Sequence, residues 1–270
     1  MMKAMIFAAG LGTRLKPLTD NMPKALVPLA GKTLLQWQIE RLKAAGITEI
    51  VVNVHHFPDM IINYLRENDN FGCRISVSDE RDMLLETGGG LRKAKDLLLG
   101  NGNWESNNEE EPILVCNVDI LSNIDIPTLL KAYDPKEMGI VVVSERNTQR
   151  YLLFDSTNRL FGWTNIATGE VKPASLSEKI KTENEKLKSG NETLDMLAFS
   201  GMQVLNPLIF GCMDELAKQR GEKFSLIDLY LHIAEKEILR AFIPENYRMM
   251  DVGKIAQLSE AESFAVSLQL

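Results

Sequence analysis

Apolar positions along this 270-residue chain follow two alternating periods. Short apolar runs at Met5-Ile6-Phe7-Ala8, Ile50 to Val54, Cys73 to Val77 and Pro112 to Asn117 have the length and β-branched content of strands. Between them lie stretches with an apolar residue every three or four positions. Thr33 to Ala45 carries Leu34, Leu35, Ile39 and Leu42 and stops at Gly46; Pro58 opens a second helix through Tyr64-Leu65. Glu86-Thr87-Gly88-Gly89-Gly90 opens a third, running on through Leu91, Ala94, Leu97 and Leu98. Strand alternating with helix predicts parallel strands joined by right-handed crossovers, with ligands at their carboxyl ends. After a fifth strand over 138–144 the pattern changes. Tyr151 to Asp155, a Ser156-Thr157-Asn158 turn and Arg159 to Trp163 read as a β-hairpin. Residues 168–192 are rich in Lys, Glu, Ser and Asn and read as a mobile excursion, before strand character returns over Leu194 to Leu205. The expectation is an α/β fold: a mostly parallel central sheet with helices on both faces, a small β-rich lobe, and one domain with halves 1–145 and 146–270.

The densest chemistry follows the first strand. In Ala8-Ala9-Gly10-Leu11-Gly12-Thr13-Arg14, Gly10 and Gly12 allow a sharp turn that aims backbone N–H groups at an anion, while Arg14 and the later Lys24 add positive charge. Two better-known glycine loops are excluded. The P-loop pattern G-x-x-x-x-G-K-[ST] is absent, and a dinucleotide fingerprint needs a third small residue where Leu15 stands. It also needs an acid after the second strand, which ends instead in His55-His56, read as ordinary surface histidines. Three glycines at the start of the third helix weaken it, so something must approach that backbone closely, a flat base or a ribose being the natural candidate. Asp119 stands just beyond the 112–117 strand. An acid facing phosphates repels them unless a cation intervenes, which makes Asp119 a candidate Mg²⁺ ligand.

Composition narrows the field further. A net charge of −7 gives no basic surface for a polyanion, so nucleic acid is not an expected partner. No apolar run approaches membrane-spanning length and no signal-peptide pattern precedes the first strand, so the chain is expected in the cytoplasm and off the membrane. Cys73, Cys116 and Cys212 are odd in number and widely spaced, and read as incidental thiols.

The run GLGTRLKPLTDNMPKALVPLAGKTLLQW resembles the signature of the sugar-1-phosphate nucleotidylyltransferases, a G-x-G-T-R-x-x-P-L-T followed by P-K. Further matches follow in order at Glu86 to Gly90, Asn117-Val118-Asp119, Phe199-Ser200-Gly201-Met202 and Met250-Asp251-Val252-Gly253. Within that family the chain is similar to the short bacterial N-acetylmuramate-1-phosphate uridylyltransferases and the small mannose-1-phosphate guanylyltransferases. The resemblance implies a three-layer Rossmann-like nucleotidyltransferase fold with a nucleotide-binding half, 1–145, and a sugar-binding and closing half, 146–270. It implies transfer of a nucleoside monophosphate from an NTP to a sugar 1-phosphate with release of pyrophosphate, supplying cell-envelope precursors.

By the same resemblance Ala8, Ala9, Gly10, Gly12, Thr13, Arg14, Gly88 and Gly89 bind the nucleotide, and Glu86, Ser200 and Gly201 the sugar. Arg14, Lys24 and Asp119 are the catalytic candidates, and Asp251 joins Asp119 on Mg²⁺. Many relatives carry a sugar-phosphate-binding Glu-Lys-Pro where this chain has Glu178-Lys179-Ile180, so that role is not carried over. The muramate-type uridylyltransferase is the expected activity, with a mannose- or heptose-1-phosphate guanylyltransferase and a non-catalytic nucleotide-binding or regulatory domain as alternatives. A monomer or homodimer is expected.

Overall fold

The computed structural model describes residues 2–100, 111–174, 180–183, 186–189 and 192–268. The first half supplies β1 (Lys3–Phe7), α1 (Leu34–Ala44), β2 (Glu49–Val54), α2 (Pro58–Glu67), β3 (Arg74–Asp79), α3 (Glu86–Lys93), α4 (Lys95–Leu99) and β4 (Ile113–Asn117). There follow β5 (Ile120–Ser122), α5 (Ile126–Ala132) and β6 (Gly139–Ser144). The second half supplies β7 (Arg150–Phe154), β8 (Leu160–Asn165), β9 (Glu170–Lys172), β10 (Ile180–Glu183), β11 (Lys186–Ser189) and the long β12 (Glu192–Leu205). It closes with α6 (Ile209–Arg220), α7 (Leu226–Ala234), β13 (Leu239–Phe242), β14 (Met249–Asp251) and α8 (Leu258–Ser267).

The main sheet runs β9-β8-β7-β12-β4-β1-β2-β3. β1 is parallel to both β2 and β4, and β2 is parallel to β3, as alternating strands and helices require. The apolar runs are buried on both faces, so β1 sends Ala4 and Ile6 into one core and Met5 and Phe7 into the other. The first core packs against α1, α2 and α8 through Leu35, Ile39, Ile61 and Ala265, and the second against α3, α6 and α7 through Leu91, Phe210, Met213 and Leu229. This is the expected arrangement with helices on both faces. Among the described residues no helix is long and apolar enough to cross a membrane.

β12 joins the two parts of the sheet. Its first half pairs antiparallel with β7 at Asp195 to Leu197, and its second half pairs with β4 over Met202 to Leu205. Local signals hold up well: the Thr33 hydroxyl caps α1 by accepting the Gln36 N–H at 3.1 Å, and Asn158, at φ 62°, turns the β7–β8 hairpin.

Two expectations are corrected. The third helix is not continuous, because the Ala94 N–H is shared between the carbonyls of Gly90 and Leu91 and the turn tightens there, dividing α3 from α4. The polar 168–192 stretch contains strands β9, β10 and β11: β9 pairs with β8 at the end of the main sheet, and β10 pairs with β11, which pairs with the start of β12. Edge strands are held by backbone hydrogen bonds and tolerate Lys and Glu side chains, so polarity there did not mean absence of structure. Glu178 and Lys179 lie outside the described residues.

Candidate active site

The glycine loop leaves β1 between two neighbours that pin it. The Ala8 N–H donates to Asn53 Oδ1 of β2 at 2.7 Å, and the Val118 N–H beyond β4 donates to the Phe7 carbonyl at 3.2 Å. Gly12 takes φ 65°, and a Cβ there would lie 2.9 Å from the Thr19 methyl and 3.1 Å from Lys24 Cβ. Its carbonyl accepts the Thr19 hydroxyl and the Leu15 N–H, both at 2.8 Å, which folds Thr13 to Lys24 back on the loop. Gly10 differs: nothing lies within 4 Å of the position its Cβ would take, so the fold itself does not require glycine there.

This loop forms one wall of a cavity of about 450 Å³ at the carboxyl ends of β1, β2 and β4. From the β4 side come Asn117, Val118 and Asp119; from the β2 and β3 side come Asn53, Leu84, Glu86 and Thr87. Ala8, Ala9, Gly10, Gly12, Thr13, Arg14 and Lys24 line the cavity as well, with Gly253 and Ser225 reaching it from the second half.

The charged groups stand in pairs. Lys24, 8% exposed, donates a hydrogen bond to Asp119 Oδ2. Arg14 stands 3.7 Å from Asp251 Oδ2, and both side chains reach solvent. The two carboxylates are neighbours because β5 and β14 form an antiparallel ribbon with Asp251 opposite Ile120, and the Val252 N–H donates to the Asp119 carbonyl at 2.8 Å. Helix α1 anchors this ribbon: Gln38 Nε2 donates to the Ile120 carbonyl at 2.6 Å, and Arg41 to the Ser122 hydroxyl at 2.9 Å. Asp251 Oδ1 is buried with no hydrogen-bond partner, and a Cβ on Gly253 would lie 2.7 Å from it. Segments more than a hundred residues apart in sequence thus meet, with Asp119 in the cavity wall and Asp251 behind it, beside Arg14.

The Gly88-Gly89-Gly90 run has another explanation than ligand approach. A Cβ on Gly88 would strike the Phe224 ring at 2.5 Å, one on Gly89 the Glu222 carbonyl at 2.2 Å, and one on Gly90 Glu80 Oε1 at 2.7 Å. The Gly88 and Gly89 N–H groups both donate to the Phe224 carbonyl, at 3.0 and 3.1 Å. The chain's own 222–224 segment and a buried carboxylate occupy the space, so Gly88 and Gly89 stand behind the cavity wall and their N–H groups are spent. Glu86 and Thr87 line the wall instead.

In the strand assigned to the sugar by resemblance, the side chains are taken up within the protein. Ser200 is fully buried, its hydroxyl 3.3 Å from Ser144 Oγ and 3.4 Å from the Ala198 carbonyl, so the side chain faces inward rather than toward a ligand. Gly201 takes φ 73° at an irregularity in β12, where a Cβ would meet Ile120 Cγ1 at 2.6 Å; its glycine fits the strand against the carboxylate ribbon.

Asn53 and Glu80 were not singled out by the sequence reading. Asn53 Oδ1 accepts the Ala8 N–H while its Nδ2 donates to Glu80 Oε1 at 2.7 Å, and Glu80 Oε2 accepts the Leu85 N–H at 3.2 Å. Burial pushes the Glu80 carboxyl above its ordinary range, with the Asn53 and Leu85 donors opposing that shift. The signal was a lone amide inside the apolar run Ile50-Val51-Val52-Asn53-Val54, a polar group that must find a partner once buried.

A glycine loop with flanking cations, facing two acids across strand ends, defines a nucleotide-handling α/β protein, and the profile of the nucleotidyl transferase family matches residues 3–267. The chain belongs to that family. It is 40% identical over 164 residues to N-acetylmuramate alpha-1-phosphate uridylyltransferase from Caulobacter vibrioides, covering 58% of this chain and 63% of that one. It is 32% identical over 208 residues to a probable mannose-1-phosphate guanylyltransferase of Oryza sativa subsp. japonica, covering 66% of this chain and 55% of the other. The matched stretches therefore span less than two thirds of those relatives. A putative glucose-1-phosphate thymidylyltransferase from Bacillus anthracis shares the fold at a TM-score of 0.73 and 18% identity, covering 98% of this chain and 95% of that one.

Proposed function

We propose that the protein transfers a nucleoside monophosphate from an NTP to a sugar 1-phosphate, giving an NDP-sugar and pyrophosphate, with UTP and N-acetylmuramate 1-phosphate as its substrates. The observation that carries this reading is the Lys24–Asp119 pair in the wall of a cavity rimmed by a glycine loop, with Arg14 in the same wall and Asp251 behind it. No general base is needed, because the attacking phosphate oxygen is already ionised at neutral pH; what remains is alignment and charge neutralisation. Arg14, with its planar fork, suits the departing pyrophosphate portion, and Lys24 suits the oxygens around the reacting phosphorus. The open space beside Gly10 leaves room for phosphate against the loop backbone.

Mg²⁺ fits the residues present. Asp251 Oδ1 is a buried acceptor without a partner, Asp119 is adjacent, and Mg²⁺ takes one or two carboxylates together with phosphate oxygens and waters. Asp119 and Asp251 would hold it, and when bound it would supply positive charge to the phosphates.

The choice of UTP rests on the uridylyltransferase at 40% identity. On this reading the protein works in the cytoplasm on a cell-envelope precursor. The test is pyrophosphate release with each of the four NTPs against N-acetylmuramate, mannose, glucose and heptose 1-phosphates, with Mg²⁺. The expected result is turnover with UTP and the muramate. Preference for GTP with mannose or heptose 1-phosphate would overturn the substrate assignment alone, and no release with any pair would overturn the reaction.

A further inference from the structure

Helix α1 carries a buried amide that its packing does not call for. Gln38 is 1% exposed and stands four residues from both Leu34 and Leu42, on the stripe that fills the first core. Its Oε1 is buried with no hydrogen-bond partner. A buried acceptor left unpaired opposes stability, and an apolar side chain of the same length would avoid that cost. What the amide does have is one contact, from Nε2 to the Ile120 carbonyl at 2.6 Å.

Ile120 stands where the two carboxylates are joined. It follows Asp119 directly in the chain and lies opposite Asp251 in the β5–β14 ribbon. The same helix also carries the opposing cation. The Leu34 N–H at the start of α1 donates to the Val27 carbonyl at 3.2 Å, and the Val27 N–H donates to the Lys24 carbonyl at 3.1 Å, so the Lys24 segment hangs from the first turn of α1. Residues 34, 38 and 41 share one helix face, so a single rigid surface holds the Lys24 segment at one end and the carboxylate ribbon along the rest. Arg41 takes the far end of β5, at Ser122 Oγ and the Ile124 carbonyl, while Gln38 takes the backbone beside Asp119. Gln38 itself is not among the residues lining the cavity. Resting on the proposed function, in which Asp119 and Asp251 hold Mg²⁺, we infer that Gln38 is a positioning residue: its bond to the Ile120 carbonyl fixes where the two carboxylates stand relative to Lys24, and so sets the affinity of the site for a divalent cation.

The test is calorimetric titration with UTP, with and without Mg²⁺ and with no sugar 1-phosphate, so that nothing turns over. Gln38→Met keeps the length of the side chain and removes the donor. Its Kd for metal-free UTP should stay within about twofold of wild type, while the factor by which Mg²⁺ tightens UTP binding should fall about tenfold or vanish, the usual cost of removing an outer contact to metal ligands. In steady state the Mg²⁺ concentration for half-maximal pyrophosphate release should rise about tenfold, with kcat at saturating Mg²⁺ within about threefold. Tm should stay within about 3 °C of wild type, because the unpaired Oε1 leaves together with the donor. Ile39→Val, which thins the packing of the adjacent residue, is the control: a lower Tm with unchanged metal dependence. Gln38→Asn, which draws the amide back by one methylene, should match Gln38→Met in metal dependence and decides the matter if that variant misfolds. Wild-type metal dependence in the Gln38 variants overturns the inference, as does an equal loss in Ile39→Val, which would make any loosening of α1 sufficient. A wild-type protein that binds UTP equally well with and without Mg²⁺ would instead refute the metal assignment on which the inference rests.

Discussion

Gly89→Ala tests what the triple glycine is for. The new Cβ would sit 2.2 Å from the Glu222 carbonyl oxygen, more than 1 Å inside ordinary contact, and the obstacle is backbone, which cannot rotate away. Helix α3 cannot back off freely either, since the N–H groups of Gly88 and Gly89 both donate to the Phe224 carbonyl. Relief means losing about two hydrogen bonds at about 1 kcal/mol each, or accepting overpacking strain of about 1–3 kcal/mol. Either route costs about 2 kcal/mol, which for a chain of this size lowers Tm by about 4 °C. Gly10→Ala is the control. Its Cβ meets nothing within 4 Å, so Tm should stay within about 1 °C of wild type while UTP binding weakens, the methyl having entered the cavity. Thermal unfolding and calorimetric titration of the two variants read both quantities. A Gly89→Ala protein with wild-type Tm and impaired nucleotide binding would refute the reasoning and return that glycine to the ligand.

The charged pairs make further predictions. Asp119→Asn and Asp251→Asn should each lower pyrophosphate release by about 10²–10³-fold, the usual cost of removing one group that stabilises the transition state, with circular dichroism unchanged. Asp119→Ala should also destabilise the fold, by about 3 kcal/mol, because it leaves the buried Lys24 ammonium unpaired; equal Tm for the Asn and Ala variants would contradict this. Arg14→Lys keeps the charge and loses the bidentate fork, so turnover should fall at least about tenfold; wild-type kinetics would make Arg14 structural. Glu80 has a carboxyl raised by burial above its ordinary 4.5, so its contribution to stability is greatest below that pH and is lost as pH rises through the raised value. The non-titrating Glu80→Gln should therefore gain stability relative to wild type as pH rises from 4 toward neutrality in denaturant titrations, and a gap independent of pH would remove the assignment.

The chain's own pattern determined the order of elements and the class of fold. Period-two and period-3.6 apolar runs are local properties, and β1 to β4 with α1 and α2 stand where Ile50 to Val54, Leu34 to Leu42 and the Pro58 start indicated. The glycine loop was legible for the same reason, since Gly12, Thr19 and Lys24 close it within a dozen residues. Contacts made by distant segments were not legible. That Gly88 and Gly89 accommodate Phe224 and Glu222, that Gly201 accommodates Ile120, and that Ser200 turns inward depend on neighbours that only the folded sheet supplies. The same holds for Asn53 with Glu80, and for Arg14 with Asp251, whose meeting requires the β5–β14 ribbon to be held under α1 by Gln38 and Arg41. A glycine in a sequence reports that something comes close to its backbone; only the tertiary structure decides whether that is a ligand or the chain itself.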